Sequence, residues 1–253
     1  MRDRIRLDDV DLAYQTWGRG EPLIGLHGGM GVDSAYLKVP GVLRLAGDRR
    51  IVLFDQRGHG ASGRSAPEAY THIRWVQDLR DFAAAVAPGP FSLLGHSYGG
   101  FIALEFALRW PHLLKDLILV GTSAGPVAFS PPQVPDDAGL RDFFRARWPH
   151  FFPGPEKHWD VFDRLTFSCS PFEAAFRREL PRYDVRDRVA SLAIPTLLVV
   201  GSEDSYRGDM EWLAETLPRT RLVVIPHAGH LPFLDEPDAF RTAVDSFLHR
   251  PQA

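Results

Sequence analysis

The chain has 253 residues, of which 45% are apolar and 24% charged, enough for one sizeable packed core and unlike a disordered chain. A net charge of −3 argues against nucleic acid or an anionic membrane as partner. The single cysteine, Cys169, excludes an intramolecular disulfide. With no run resembling a signal peptide or long enough to span a membrane, the expectation is a cytoplasmic protein, monomer or homodimer, acting on a small molecule.

Loose alternation over residues 5–17 predicts edge strands, Ile5–Leu7 and Leu12–Trp17, before the turn Gly18-Arg19-Gly20. Pro22–Leu26 is the first continuous apolar run, as expected of a strand covered on both faces. It ends in His27-Gly28-Gly29-Met30-Gly31. A glycine-rich loop past a central strand can bring backbone N–H groups close to a ligand. The N–H of Gly29, with that of Tyr98, is the expected oxyanion hole; a turn that merely redirects the chain is the alternative. His27 is read as a packing and hydrogen-bonding residue.

Arg50–Phe54 reads as a second buried strand, followed by Asp55-Gln56-Arg57-Gly58-His59-Gly60-Ala61-Ser62. Asp, Arg and several glycines suggest a loop fixed by side-chain-to-backbone hydrogen bonds, with an Asp55–Arg57 pair here structural rather than catalytic, and His59 a loop residue. Apolar residues three and four apart predict a helix over 75–86. Phe91–Leu94 is then a short apolar strand, and Phe101–Leu108 an apolar helix stopped at Trp110-Pro111. Between them lies Gly95-His96-Ser97-Tyr98-Gly99. A serine in a sharp strand-to-helix turn needs glycines beside it, and the turn exposes its hydroxyl above a helix N-terminus. Residues 117–120 are the next buried strand.

Residues 124–190 break this rhythm. Prolines cluster, no strand signal appears, and helices are predicted near 137–148, 156–167 and 172–181. The segment holds 12 of the 29 aromatic residues. Two uses follow: a core of its own, and the lining of an apolar pocket, for which Phe143, Phe144, Trp148 and Trp159 are the candidates. The Pro-rich joins near 126–135 look like hinges. Cys169 carries no nucleophile signature and reads as a small half-buried residue.

Alternation resumes with a strand over Pro195–Val200, ending in Gly201-Ser202-Glu203-Asp204. A helix near 209–217, a strand at 221–225, the loop Pro226–Pro232 and a helix over 237–249 complete the chain. Strands alternating with helices define an α/β domain with a doubly wound, mostly parallel sheet. A carboxylate past the end of a central strand faces the same edge as Ser97. Serine needs a base, histidine suits that task near neutral pH, and an imidazolium needs a carboxylate to orient it. Ser97, Asp204 and His230 are therefore the catalytic candidates. Glu203 is the rival acid and His227 the rival base. No ligand spacing suggests a metal, and no cofactor is expected.

These motifs together resemble the α/β-hydrolase superfamily over essentially the full length, in the chain order Ser97, Asp204, His230. The resemblance implies an α/β-hydrolase fold with helices on both faces of the sheet. It divides the chain into a core, 1–123 and 191–253, and a small helical cap, 124–190, inserted before the last two strands. His27-Gly28-Gly29-Met30-Gly31 and Asp55-Gln56-Arg57-Gly58 are also similar to motifs of prolyl iminopeptidases. Met30, His96 and Tyr98 depart from that group, and its cap carboxylates would have to come from Asp136, Asp137, Glu156, Glu173 or Glu179. The Gly-His-Ser-x-Gly-Gly elbow is closer to carboxylesterases, so an esterase for small to medium apolar substrates ranks first and an aminopeptidase second. Lactonase, carbon–carbon bond hydrolase and a non-catalytic binding protein remain open.

Overall fold

The computed structural model describes residues 3–127 and 131–250; residues 128–130 of the Pro-rich join, and the chain ends, lie outside the described residues. Eight strands form one sheet: β1 (Asp3–Arg6), β2 (Asp11–Trp17), β3 (Glu21–Leu26), β4 (Arg49–Phe54), β5 (Phe91–His96), β6 (Leu114–Val120), β7 (Thr196–Gly201) and β8 (Thr220–Ile225). Their order is β1-β2-β4-β3-β5-β6-β7-β8. The β1–β2 and β2–β4 pairs are antiparallel and all others parallel. Ile24 of β3 lies opposite Val52 on one side and Leu93 on the other, so the most apolar runs occupy the middle of the sheet. Every residue of β5 and β7 is buried, which is why both read as unbroken apolar runs rather than as alternation.

The helices are α1 (Pro40–Leu43), α2 (His72–Val86), α3 (Tyr98–Arg109), α4 (Asp137–Arg147), α5 (Trp159–Phe162), α6 (Cys169–Glu173), α7 (Arg207–Thr216), α8 (Pro232–Asp235) and α9 (Pro237–Leu248). The stripe Trp75, Val76, Leu79, Phe82 and Ala83 seats α2 on the sheet, and the Thr71 hydroxyl accepts from Arg74 N–H. That cap starts the helix three residues ahead of the periodic pattern. Residues 32–48, which carry no clear period, fold as short turns around α1.

The segment between β6 and β7 is helical, as its composition predicts, but more broken. His158 adopts a left-handed conformation (φ 48°), and only Trp159–Phe162 is helical in the stretch predicted as 156–167. Beyond α6 the helix widens into π-type turns through Glu179. Among the described residues, the buried side chains of this segment share clusters with the sheet rather than forming one apart. Leu140, Phe144, Trp148, Phe162 and Phe172 pack with Leu23, Ile118 and Val199 on one face of the sheet. Ala174, Leu180, Tyr183 and Val185 join the opposite layer with Phe101 and Ile102. The aromatics thus weld this segment onto the carboxyl edge of the sheet. Among the described residues no helix is long and apolar enough to cross a membrane.

Candidate active site

Ser97 sits between β5 and α3 with φ 53° and ψ −121°. A non-glycine residue held there costs on the order of 1–3 kcal/mol, so its surroundings must over-determine it. They do. Its N–H donates to Val120 O at 2.9 Å, and its carbonyl accepts from Gly100 N–H at 2.8 Å and the Thr122 hydroxyl at 2.9 Å. The flanking glycines have a steric cause: a Cβ on Gly95 would lie 2.5 Å from Gly99 O, and one on Gly99 would lie 2.4 Å from Leu26 O. From Phe91 to Gly100, Ser97 alone is not fully buried.

The loop after β3 presses against this turn. A Cβ on Gly28 would meet Ser97 Cβ at 2.7 Å and Tyr98 N at 2.9 Å. Gly29, at φ 55°, lines the same cavity as Ser97, and Tyr98 N–H opens α3 beside it. Two buried histidines hold the loop from below. His27 Nδ1 lies 3.1 Å from Gly28 O, and Gln56 N–H donates to His27 Nε2 at 3.1 Å. Gly31 N–H donates to His59 Nε2 at 2.8 Å. Burial lowers the pKa of both, that of His59 to about 3, so both rings are neutral acceptors. The expected Asp55–Arg57 pair does not form. Asp55 accepts from Ser34 N–H, the Ser34 hydroxyl and Ala61 N–H, whereas fully buried Arg57 pairs with Asp78 at 2.7 Å and Asp9 at 2.7 Å. Asp55 turns toward the backbone of its own loop and of Ser34, and the long guanidinium of Arg57 reaches Asp78 of α2 and Asp9 between β1 and β2.

Asp204 follows β7 and His230 follows β8, and the structure brings them together. His230 Nδ1 lies 3.0 Å from Asp204 Oδ2 and 3.2 Å from Oδ1. The Asp204 carboxylate is wholly buried and the imidazole 14% exposed. Burial alone would raise the Asp204 pKa; the charge and hydrogen bond of His230, with Tyr206 N–H, outweigh it and hold the carboxyl below its ordinary value. Gly121, at φ 51°, makes room for the pair, because a Cβ there would lie 2.5 Å from Asp204 Oδ2 and 3.1 Å from His230 Nδ1. The rings of Phe151, Tyr206 and His96 surround the imidazole at 5.5, 5.5 and 4.8 Å. The rivals stand apart: His227 is exposed, and Glu203 is an exposed residue at the cavity rim.

Gly29, Ser97, Asp204 and His230 border one cavity of about 540 Å³. Phe143, Phe144 and Trp148 line it. Trp159 does not. It opens α5 right after the left-handed His158, stays 37% exposed, and packs on Phe162 beneath Arg145. Val32, Phe151, Phe172, Phe176 and Tyr206 add to the apolar wall, as do Tyr36, Val127 and Leu231. Tyr206, two residues past Asp204, and Val32, next to Gly31, had nearby motifs that could have singled them out. Arg147 and His150 reach the cavity from the helical segment, and Glu203 and Asp209 from the opposite side. The carboxylates available in the helical segment face elsewhere. Asp136 caps α4, Asp137 pairs with Arg64, and Glu156 accepts from His158 N–H. Glu173 pairs with Arg177, and Glu179 accepts from His72 N–H.

The chain belongs to the alpha/beta hydrolase family, whose model matches residues 23–243. Its relatives divide by chemistry. It is 27% identical to a protein of Agrobacterium fabrum named as a carbamate hydrolase, over 93% of this chain and 97% of that one. It is 28% identical to the pimeloyl-[acyl-carrier protein] methyl ester esterase of Nitrosomonas europaea, over 94% and 99%. It is 27% identical to a proline iminopeptidase of Levilactobacillus brevis, over 93% of each. Among solved structures, a thermophilic esterase from Thermogutta terrifontis superposes with a TM-score of 0.81 at 27% identity, over 98% of each chain.

Proposed function

We propose that this hydrolase cleaves carboxylic esters through a Ser97–His230–Asp204 triad and an acyl-enzyme. One observation carries the reading: a buried carboxylate lies 3.0 Å from a histidine that shares a cavity with a serine held at positive φ. Asp204 accepts the Nδ1 proton of His230, which leaves Nε2 free for the proton of Ser97. Ser97 Oγ attacks the ester carbonyl, and the oxyanion is held by the N–H groups of Gly29 and Tyr98. His230 returns the proton to the departing alcohol, and water repeats the cycle on the acyl-enzyme.

The helical segment between β6 and β7 acts as a cap, and its aromatic wall favours an apolar acyl or alkoxy group. The placement of Asp136, Asp137, Glu156, Glu173 and Glu179 away from the cavity supports an ester over a peptide with a free amino terminus. The rim carboxylates Glu203 and Asp209, with the iminopeptidase relative, keep the aminopeptidase as second reading.

The test is a hydrolysis panel: p-nitrophenyl esters from acetate to decanoate, prolyl and alanyl arylamides, and a simple carbamate, with Ser97→Ala as the blank. Turnover of esters well above arylamides and carbamate is expected, and the best chain length sizes the wall. Preference for an arylamide with a free amine would replace the ester reading and direct attention to Glu203 and Asp209. Failure of Ser97 to react with a fluorophosphonate would remove the nucleophile assignment itself.

A further inference from the structure

Tyr36 lies in the short turn Ser34–Leu37, in a part of the chain that no catalytic motif marks. It is 3% exposed, as is His96, the residue immediately before Ser97. Gly28 N–H lies 2.5 Å from the Tyr36 hydroxyl, which lies 2.9 Å from His96 Nδ1. His96 Nε2 lies 2.8 Å from the main-chain carbonyl oxygen of His230. Three bonds thus join the loop that carries Gly29, the turn that carries Ser97, and the loop that carries His230.

The proton directions follow from the two ends. A backbone N–H can only donate and a carbonyl oxygen can only accept. Having accepted from Gly28, the Tyr36 hydroxyl gives its own proton to His96 Nδ1. His96 then carries its ring proton on Nε2 and gives it to His230 O. One neutral tautomer satisfies all three bonds, and burial, which lowers the His96 pKa to about 3, keeps that tautomer in place. A protonated His96 would aim a second donor at Tyr36 and set a cation beside the His230 ring.

We propose that Tyr36 and His96 are positioning residues that hold the oxyanion loop, the nucleophile turn and the backbone of the general base in one register. The proposal rests on the triad reading above. Its reach comes from what the bonds immobilise. His27 Nδ1 donates to Gly28 O, and that carbonyl shares a planar trans peptide with Gly29 N–H. With Gly28 N–H held by Tyr36 and Gly28 O held by His27, the direction of Gly29 N–H is set. On the other side, His230 N–H donates to Phe151 O at 2.9 Å while His230 O accepts from His96. The base is clamped at both ends of its own backbone unit, and His96 is covalently next to Ser97. A shift of either ring would move donors, nucleophile and base relative to one another, and misplacements of this size are what catalysis tolerates least.

The test uses Tyr36→Phe, His96→Leu, His96→Gln and the double variant Tyr36→Phe/His96→Leu, each with Ser97→Ala alongside, on the best ester of the panel. Melting temperature is recorded for each, and Tyr36→Phe removes only one oxygen. The expected result is a kcat about tenfold lower for Tyr36→Phe with KM within about twofold, the size of one lost hydrogen bond. His96→Leu should lose about a hundredfold, and His96→Gln, whose side chain can still present an amide N–H toward His230 O, should recover about tenfold of it. The double variant should lose clearly less than the two single losses combined, because both act through one chain. A wild-type kcat in Tyr36→Phe, a His96→Gln no faster than His96→Leu, or additive losses would each overturn the proposal. If Ser97→Ala stays active, the triad reading itself has failed. If Ser97→Ala is inactive while Tyr36→Phe and His96→Leu keep full kcat, this inference alone has failed.

Discussion

The two sides of the cavity are built on different principles. The side below, at the carboxyl edge of β3, β5, β7 and β8, is made of backbone: glycines that permit contacts no side chain would allow, and buried neutral histidines that hold peptide groups in place. The side above is made of aromatic side chains from broken helices, packed on one another and on the sheet. A backbone site has few alternative sequences, because one methyl at Gly121 or Gly28 collides with the machinery. An aromatic wall has many, since cores tolerate swaps of similar volume. On the proposed mechanism, chemistry belongs to the lower side and selectivity to the upper, and this division can be broken experimentally.

The largest expected effect is at the nucleophile. Ser97→Ala should lower kcat/KM on the preferred ester by roughly four or more powers of ten, with little change in melting temperature. Turnover near the normal rate would show that the cavity's chemistry does not come from the elbow at all.

Next comes a substitution that adds one carbon and two hydrogens without replacing any reactive atom. Gly121→Ala places a Cβ 2.5 Å from Asp204 Oδ2 at a backbone φ of 51°. The carboxylate and His230 must move, and a displacement approaching 1 Å costs about a hundredfold in kcat. Steady-state kinetics on the variant, beside its melting curve, read this directly. A variant that keeps full kcat would mean the lower side is as forgiving as the upper.

How much of this was legible in the chain divides along the same line. Ser97, Asp204 and His230 could be singled out because each follows an apolar strand, with a glycine one to three residues before it. The expectation for Trp159 failed because aromatic enrichment says that a wall exists and not which ring faces it. That choice depends on the left-handed His158, which no local pattern announces. The Asp55–Arg57 pairing failed for a similar reason. Adjacency on a loop suggested it, while the true partners of Arg57, Asp9 and Asp78, are 48 and 21 residues away. Tyr36 was silent because its role depends on a contact with His96 across 60 residues. Local chemistry is written locally; packing partners are not.

The lower side carries a liability in acid. His59 and His96 have pKa values lowered to about 3 and His72 to about 4, each chiefly by burial. In the unfolded chain they titrate near 6.5, so below that pH the unfolded state binds protons that the native state refuses, and stability falls as pH falls. At pH 5 each contributes a loss of about 2 kcal/mol. The exposed His249, whose pKa is raised by Asp48, acts in the opposite sense. Urea midpoints should therefore drop steeply between pH 6.5 and 4. An unchanged midpoint at pH 7 and pH 5 would mean these histidines are not held neutral.

The smallest effects belong to the upper side. Phe143 and Phe176 line the cavity and are only partly buried, so truncating them enlarges the wall without opening the core. Phe143→Ala and Phe176→Ala should change kcat/KM by about tenfold on any one ester, the low end of the roughly 1–3 kcal/mol range for lost pocket contact, because both rings are only partly buried. Their signature is a shifted preference, with longer or bulkier acyl chains gaining on acetate while the rate of fluorophosphonate labelling at Ser97 stays near its original value. The two readouts separate the sides of the cavity. Labelling reports the nucleophile, base and oxyanion donors, and chain-length preference reports the wall. If Phe143→Ala slows labelling as much as it shifts preference, the aromatic wall helps to position the machinery, and the division between the two sides does not hold.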